Sequence, residues 1–245
     1  MLTRKDWLPE RVIVFAVPLL ALALMGLVGE ITHKIVPGAP PPVPQFTSVM
    51  IGTLGFQGVL LAGLVWFLQV HRRGWNEAFG FLSSPTVPAL AKGVVLALFV
   101  LPVAYALQWV SALGLRKLGI PVVAQSSVEV LLRSGSGWQR ACIALFAVGL
   151  APAVEEMLFR GVFFCFVRDL GRPRLALVGS AVLFGLVHNN LAALIPLTVF
   201  GAALAWLYAR TGNLLACIAA HATFNLAPFL LLAFGWQFGD AADSL

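Results

Sequence analysis

Seven mainly apolar runs follow one another along the chain and leave little sequence between them. They cover residues 12–28, 47–70, 88–113, 138–167, 175–188, 191–209 and 213–235. A helix of roughly 20 apolar residues crosses the hydrocarbon core of a bilayer. Inside lipid, only helices and closed barrels pair all of their own backbone groups. The runs therefore predict an all-α membrane protein, a polytopic bundle of about seven to eight transmembrane helices.

The composition supports a membrane protein without a soluble appendage. Hydrophobic residues make up 60% of the 245 residues and charged residues only 11%, whereas soluble domains carry about 25% charged residues. We therefore expect a single transmembrane domain over residues 1–245, with the lipid bilayer as its surroundings.

The net charge of +6 is explained by membrane topology. Lys and Arg lie in short segments between apolar runs, where they orient a membrane protein, and they form no basic stripe that would bind nucleic acid. The first run follows Arg4, Lys5 and Arg11, and no signal-peptidase-like site comes after it. We interpret it as a retained span with its N-terminus in the cytoplasm, and we expect the inner (plasma) membrane as the location. The basic residues favour this orientation only moderately, and the side of the C-terminus stays open.

Three connecting segments have recognisable character. The proline-rich stretch Val36–Pro44 cannot be helical and predicts an extended external loop. The mixed polar and aromatic segment His71–Ser84 predicts a loop at the membrane interface. Residues Ser126–Arg133 alternate at near-helical spacing, which is typical of a short amphipathic helix on the membrane surface. The acidic tail with Asp240 and Asp243 gives no topological signal.

Two acidic residues lie deep in the fourth apolar run, Glu155 and Glu156. A charge at the bilayer centre costs at least about 2.5–3.5 kcal/mol and marks a functional site by default. Arg160 lies four residues after Glu156, one helical turn along the same face, so an ion pair is expected. Glu155 is rotated by about 100° around the helix axis and must find partners on another helix.

The candidate partners are two histidines in later runs. His188 closes the fifth run, and His221 lies in the last run one turn before Asn225. A single His or Asn in a span is more often an interhelical hydrogen-bonding link than part of a reaction site. Two carboxyls, two imidazoles, an amide and a guanidinium in three helices favour a functional site, because each group adds to the cost of insertion.

The chemistry of this set fits the hydrolysis of an amide. A carboxylate and an imidazole can hold and deprotonate water, and a second imidazole with an amide can donate hydrogen bonds to an oxyanion. No Ser or Cys lies beside a base in a nucleophile motif. Glu155, His188 and His221 could instead bind a divalent metal such as zinc, although the spacing is not that of the His-Glu-x-x-His zinc proteases.

Three ordered motifs resemble the CAAX protease and bacteriocin-processing (CPBP, or ABI) family, and the chain is identified as a prokaryotic member. The motifs are Glu155-Glu156-x-x-x-Arg160, Phe184-x-x-x-His188 and His221-x-x-x-Asn225. The resemblance covers residues 138–235 as the catalytic core, whereas the first 137 residues carry no recognised motif. It implies a bundle of about eight helices around an intramembrane catalytic cavity.

The resemblance also implies a role for each residue. Glu155 and His188 would activate the attacking water, and His221 and Asn225 would form the oxyanion hole. Glu156 and Arg160 would orient the site, with Phe184 packed beside it. These six motif residues, Glu155, Glu156, Arg160, His188, His221 and Asn225, are the predicted catalytic set. The family has been described both as metalloproteases and as glutamate-type proteases, so the need for a metal stays open.

The predicted function is an intramembrane endopeptidase acting on a membrane-embedded or lipidated protein or peptide. Two alternatives stay open. The first is a membrane immunity or binding protein that keeps the pocket without turnover. The second is a proton-coupled transporter that uses Glu155 and His188 as a relay, which the lack of an internal repeat disfavours.

Overall fold

The computed structural model describes residues 3–35, 45–120, 122, 129–131 and 136–234. Within these ranges the chain is helical with short connections, and no strand is present. The helices are α1 (Pro9–Ile35), α2 (Phe46–Val70), α3 (Trp75–Phe79), α4 (Thr86–Lys117), α5 (Gly137–Asp169), α6 (Pro173–Leu186), α7 (Leu191–Thr211) and α8 (Leu214–Ala233).

Each of the seven predicted apolar runs corresponds to a helix, although the runs 175–188 and 213–235 extend a few residues beyond α6 and α8. By length and composition, α2, α4, α5, α7 and the part of α8 that covers Leu214–Leu231 can each cross a membrane, and α6 is a shorter apolar helix of 14 residues. Helix α1 has 27 residues and contains the first run. The chain is therefore a multi-pass, all-α membrane protein, as predicted.

The connecting segments agree with the sequence only in part. The predicted loop over 36–44 and the tail with Asp240 and Asp243 lie outside the described residues. Of the predicted surface helix, residues 129–131 are described, and they are helical. The predicted loop over 71–84 contains the short helix α3, which Gly80 ends in a left-handed conformation at φ 70°. Glycine adopts this conformation without steric cost.

The outside of the described bundle is apolar and its polar groups face inward. Large side chains such as Phe99 and Val87 are about three-quarters exposed, at 74% and 76%. Glu156 and Arg160 are completely buried at 0%. This distribution suits lipid as the solvent, because ionisable residues in membrane spans face the bundle interior.

Helix α5 changes its winding on either side of the glutamate pair. Residues Leu145–Leu150 and Met157–Phe164 are π-helical, while Ala151–Glu156 between them is α-helical. A π-helical turn inserts an extra residue into the helix and often occurs at functional sites. The glutamate pair thus lies on a short α-helical segment, and the two π-helical segments around it have backbone carbonyls available to other partners.

Helices α4 and α8 pack with their backbones in close contact. A Cβ atom added at Gly93 would lie 2.1 Å from the carbonyl oxygen of Ala216 and 2.8 Å from the amide nitrogen of Ala220. Only glycine allows this approach. Since α8 also carries His221, the α4 contact helps to set the depth and rotation of the helix that completes the site.

The segment before α1 is hydrogen-bonded to α3 and to the C-terminal end of α5. The Lys5 backbone N–H donates to Asp169 Oδ2 at 2.7 Å, and its Nζ donates to the Glu77 carbonyl at 2.6 Å. Burial lowers the pKa of the Lys5 amine. Trp7 Nε1 donates to the Gly161 carbonyl, in the second π-helical segment, at 3.0 Å. These bonds tie the N-terminal segment to the helix that bears the glutamates.

Candidate active site

Glu156 and Arg160 form the buried ion pair that their spacing predicts. Arg160 Nη1 donates to Glu156 Oε1 at 2.7 Å, and both side chains are 0% exposed. Arg160 Nη2 donates to the Gly201 carbonyl on α7 at 3.0 Å, and the guanidinium lies 4.6 Å from the centroid of the Phe184 ring. The pair therefore links α5 to α6 and α7 as well as neutralising its own charges.

His221 on α8 is held by the same carboxylate. Its Nδ1 lies 2.9 Å from Glu156 Oε1. A carboxylate is only an acceptor, so Nδ1 carries a hydrogen and donates it. The other ring nitrogen, Nε2, lies 3.9 Å from Glu155 Oε2. Glu156 thereby fixes the ring orientation that directs His221 Nε2 towards Glu155.

The His188 ring is held in a similar manner, with one nitrogen bonded to an acceptor and the other facing Glu155. It follows the end of α6, and its Nδ1 lies 2.7 Å from the Phe184 carbonyl, which only accepts hydrogen bonds. Nδ1 is therefore the protonated nitrogen, and Nε2 is the nitrogen that lies 3.9 Å from Glu155 Oε2. The Phe184 ring packs at 4.7 Å from the His188 ring and 5.4 Å from the His221 ring, measured between centroids.

Glu155 has a partner that the sequence did not identify. Gln57 on α2 donates from Nε2 to Glu155 Oε1 at 3.0 Å and is 4% exposed. Gln57 is an amide within the second apolar run, which is the same kind of signal that singled out Asn225. It belongs to no family motif and lies far from the other site residues in sequence, so the sequence pattern does not single it out.

Asn225 is bonded to the backbone of α5. Its Nδ2 donates to the Ala147 carbonyl at 2.8 Å. That carbonyl is available for two reasons. In the π-helical winding, the Ala151 N–H is bonded to the Phe146 carbonyl, and residue 152 is a proline without an N–H. Pro152 and the π-helical segment together therefore leave Ala147 to accept the Asn225 amide.

A cavity of about 620 Å³ opens beside these groups. Its polar lining includes Gln57, Glu155, His188, His221 and Asn225, and most of the remaining wall is apolar or aromatic. Pockets of roughly 300–1,000 Å³ with an apolar wall and a few convergent polar groups are typical ligand sites.

The structure brings all six predicted residues into one constellation. Four of them line the cavity, namely Glu155, His188, His221 and Asn225. The other two, Glu156 and Arg160, lie behind His221 and do not line the cavity. Two imidazole Nε2 atoms face one carboxylate oxygen, Glu155 Oε2, at 3.9 Å each. That separation is too long for a direct hydrogen bond, and a polar contact of this length is one that a water molecule can bridge.

Glu155, His188 and His221 are the residues that the sequence predicts for a divalent metal, if one is used. Within the described ranges, no group of three or more His, Cys, Asp or Glu side chains is arranged to hold a metal ion.

Comparison with known proteins agrees with the geometry. Residues 137–227 match the family model described as "Type II CAAX prenyl endopeptidase Rce1-like". The chain is also 36% identical over 76 residues to "Putative membrane peptidase YdiL" of Bacillus subtilis (strain 168). That match covers 31% of this chain and 31% of the relative, so it spans about a third of the relative's length. No solved structure matches the chain. All six motif residues lie within 137–227, whereas Gln57 lies outside it.

Proposed function

We propose that this chain is an intramembrane endopeptidase of the CPBP family of CAAX proteases, because residues 137–227 match the Rce1-like CAAX prenyl endopeptidase model. It hydrolyses a peptide bond in a membrane-embedded or lipidated protein or peptide, with water activated by Glu155 and His188. The observation that carries this proposal is the convergence of His188 Nε2 and His221 Nε2 on Glu155 Oε2 at the wall of an apolar cavity.

The first step is the activation of water. A water molecule between Glu155 Oε2 and His188 Nε2 donates one hydrogen bond to each, because both atoms are acceptors when His188 carries its proton on Nδ1. Glu155 takes a proton as the water oxygen adds to the substrate carbonyl carbon. General base catalysis of this kind contributes about 10²–10⁴-fold to the rate.

The second step is stabilisation of the oxyanion. His221 donates Nδ1–H to Glu156, so a further proton on Nε2 makes it a cation beside an ionised carboxylate. That Nε2–H and the second N–H of the Asn225 amide donate to the oxyanion. Removing one oxyanion donor typically costs about 10²–10³-fold in rate.

The third step breaks the peptide bond. The tetrahedral intermediate collapses to a carboxylic acid, and Glu155 returns its proton to the departing amine nitrogen. Glu155 is thus regenerated as a carboxylate, and the sum of the steps is one water consumed and one peptide bond cleaved. No covalent enzyme intermediate is required.

The cavity and its surroundings support the proposed substrate class. An apolar cavity between membrane-spanning helices admits an apolar segment at lower cost than a polar one, because desolvation of polar groups must be compensated. A membrane-embedded or lipidated peptide meets that condition. We place the protein in the plasma membrane, where such substrates are delivered to the cavity from the bilayer.

The test uses purified protein in liposomes with dye-quenched peptides as probes. One set is a pool of single-span peptides of about 20 apolar residues, and the other is a farnesylated CAAX peptide with its unlipidated twin. The proposal expects cleavage of members of at least one set, with the site read by mass spectrometry, and no cleavage by Glu155→Gln. Equal product from native protein and Glu155→Gln would contradict it.

A further inference from the structure

We propose that Gln57 on α2 is a positioning residue for the attacking water, acting through Glu155. This inference rests on the proposed function and adds a residue from outside the family-matched segment. The Gln57 carboxamide donates from Nε2 to Glu155 Oε1 at 3.0 Å. The other carboxylate oxygen, Oε2, is the one that lies 3.9 Å from both imidazole Nε2 atoms.

The bond assigns separate roles to the two oxygens of one carboxylate. The terminal torsion of a glutamate is broad and roughly two-fold, so it does not fix the carboxylate plane by itself. A donor on Oε1 holds that plane and leaves Oε2 directed at the histidines. Without Gln57 the carboxylate of Glu155 can rotate, and a base that is misplaced by about 1 Å loses roughly 10²-fold in rate.

The position of the Gln57 side chain separates its effect on stability from its effect on catalysis. Gln57 is 4% exposed but lines the cavity beside Glu155, whose side chain is 16% exposed. Water in the cavity can therefore replace the hydrogen bond to Glu155 Oε1 when the carboxamide is removed, but a mobile water does not hold the carboxylate plane.

Stability and catalysis therefore respond differently. Gln57→Met keeps the side chain's length and approximate volume while removing the donor to Glu155. We expect the thermal midpoint to stay close to native. We expect kcat to fall by at least about tenfold, towards the 10²-fold expected for a misplaced base, with KM unchanged because the cavity wall keeps its shape.

The matched control is on the same helix. Gln69→Met makes the same chemical change at an exposed position of α2 and should alter neither kcat nor the thermal midpoint. Gln57→Leu is measured beside Gln57→Met, so that the test does not depend on the folding of one variant.

The experiment is the liposome peptide-cleavage assay combined with thermal unfolding of each variant. A lower kcat with unchanged KM and a midpoint close to native supports the positioning role. A native kcat in both Gln57 variants overturns it while leaving the protease intact, since Glu155→Gln still abolishes cleavage. A fall in kcat that tracks a fall in midpoint also overturns it, because Gln57 is then a packing residue. Cleavage that survives Glu155→Gln overturns the proposed function itself, and the positioning role with it.

Discussion

His221 donates its Nδ1–H to Glu156 Oε1 at 2.9 Å, and the same oxygen accepts from Arg160 Nη1 at 2.7 Å. One buried carboxylate oxygen thus receives hydrogen bonds from two different helices. Glu156 is completely buried. Arg160 balances its charge, and the Glu156 carboxylate holds the His221 ring in one orientation. Glu156 therefore orients His221, while Glu155 faces the cavity.

Glu156→Gln should therefore unfold more easily than the native protein. It leaves Arg160 as an uncompensated buried cation, and breaking a buried ion pair costs about 3–5 kcal/mol. Thermal unfolding in detergent measures the change. Glu77→Gln is the matched control, since the Arg73–Glu77 pair has the same i, i+4 spacing and its carboxylate is 53% exposed, where a pair is worth about 0–1 kcal/mol. Equal midpoints for the two variants would show that the buried pair is not what stabilises the bundle.

Gly93→Ala tests whether α4 sets the position of the helix that bears His221. The added methyl group would meet the Ala216 carbonyl at 2.1 Å, so α8 must shift. Overpacking of this kind costs about 1–3 kcal/mol, and we expect cleavage to slow as well because His221 moves with the helix.

Gly114→Ala in the same helix is the control for Gly93→Ala. Nothing lies within 4 Å of a Cβ at position 114, and alanine is a better helix former than glycine by about 1 kcal/mol. It should leave cleavage unchanged and the midpoint equal or higher. A Gly93→Ala protein with native cleavage and midpoint would contradict the close α4–α8 contact.

Pro152→Ala tests the link between the π-helical segment and Asn225. The substitution restores an N–H that can compete for the Ala147 carbonyl, which now accepts from Asn225 at 2.8 Å. We expect stability to be equal or higher, because proline inside a helix is unfavourable. We expect cleavage to fall, at most by the roughly 10²–10³-fold typical of a lost oxyanion donor. The fall in cleavage rate of Asn225→Ala is the reference for complete loss of this donor.

The control for Pro152→Ala is Pro102→Ala, which changes an exposed proline inside α4. It should raise stability without affecting cleavage. Full activity in Pro152→Ala alongside a large loss in Asn225→Ala would show that Asn225 does not need the freed carbonyl.

Much of this arrangement could be predicted from the sequence. The apolar runs predicted the helices because a bilayer leaves few other ways to satisfy a backbone. The Glu156–Arg160 pair followed from helical spacing alone. The cost of burying Glu155 and His188 indicated a site before any contact was known.

Two features could not be predicted in this way. Gln57 reaches Glu155 from 98 residues away in sequence, and helical spacing says nothing about which helices are neighbours. The contact between His221 and Glu156 could not be predicted either, because helical spacing pairs Glu156 only with Arg160, whereas a carboxylate oxygen can accept from two donors. Both depend on packing between helices, which no local pattern determines.

The proposed mechanism places water between side chains and requires no metal ion. We expect chelators such as 1,10-phenanthroline to leave the cleavage rate unchanged after prolonged incubation and dialysis. The reference is the same protein dialysed without chelator. Loss of activity that one divalent metal restores, and others do not, would overturn this part of the mechanism.

The most direct test of the central claim is the cleavage rate of Glu155→Gln in liposomes, measured with the peptide pool and compared with the native protein. Glu155 is 16% exposed and faces the cavity, so the isosteric amide should leave the thermal midpoint close to native. The account predicts a rate lower by about 10²–10⁴-fold, the contribution expected of a general base. A folded Glu155→Gln protein that cleaves at the native rate would contradict it.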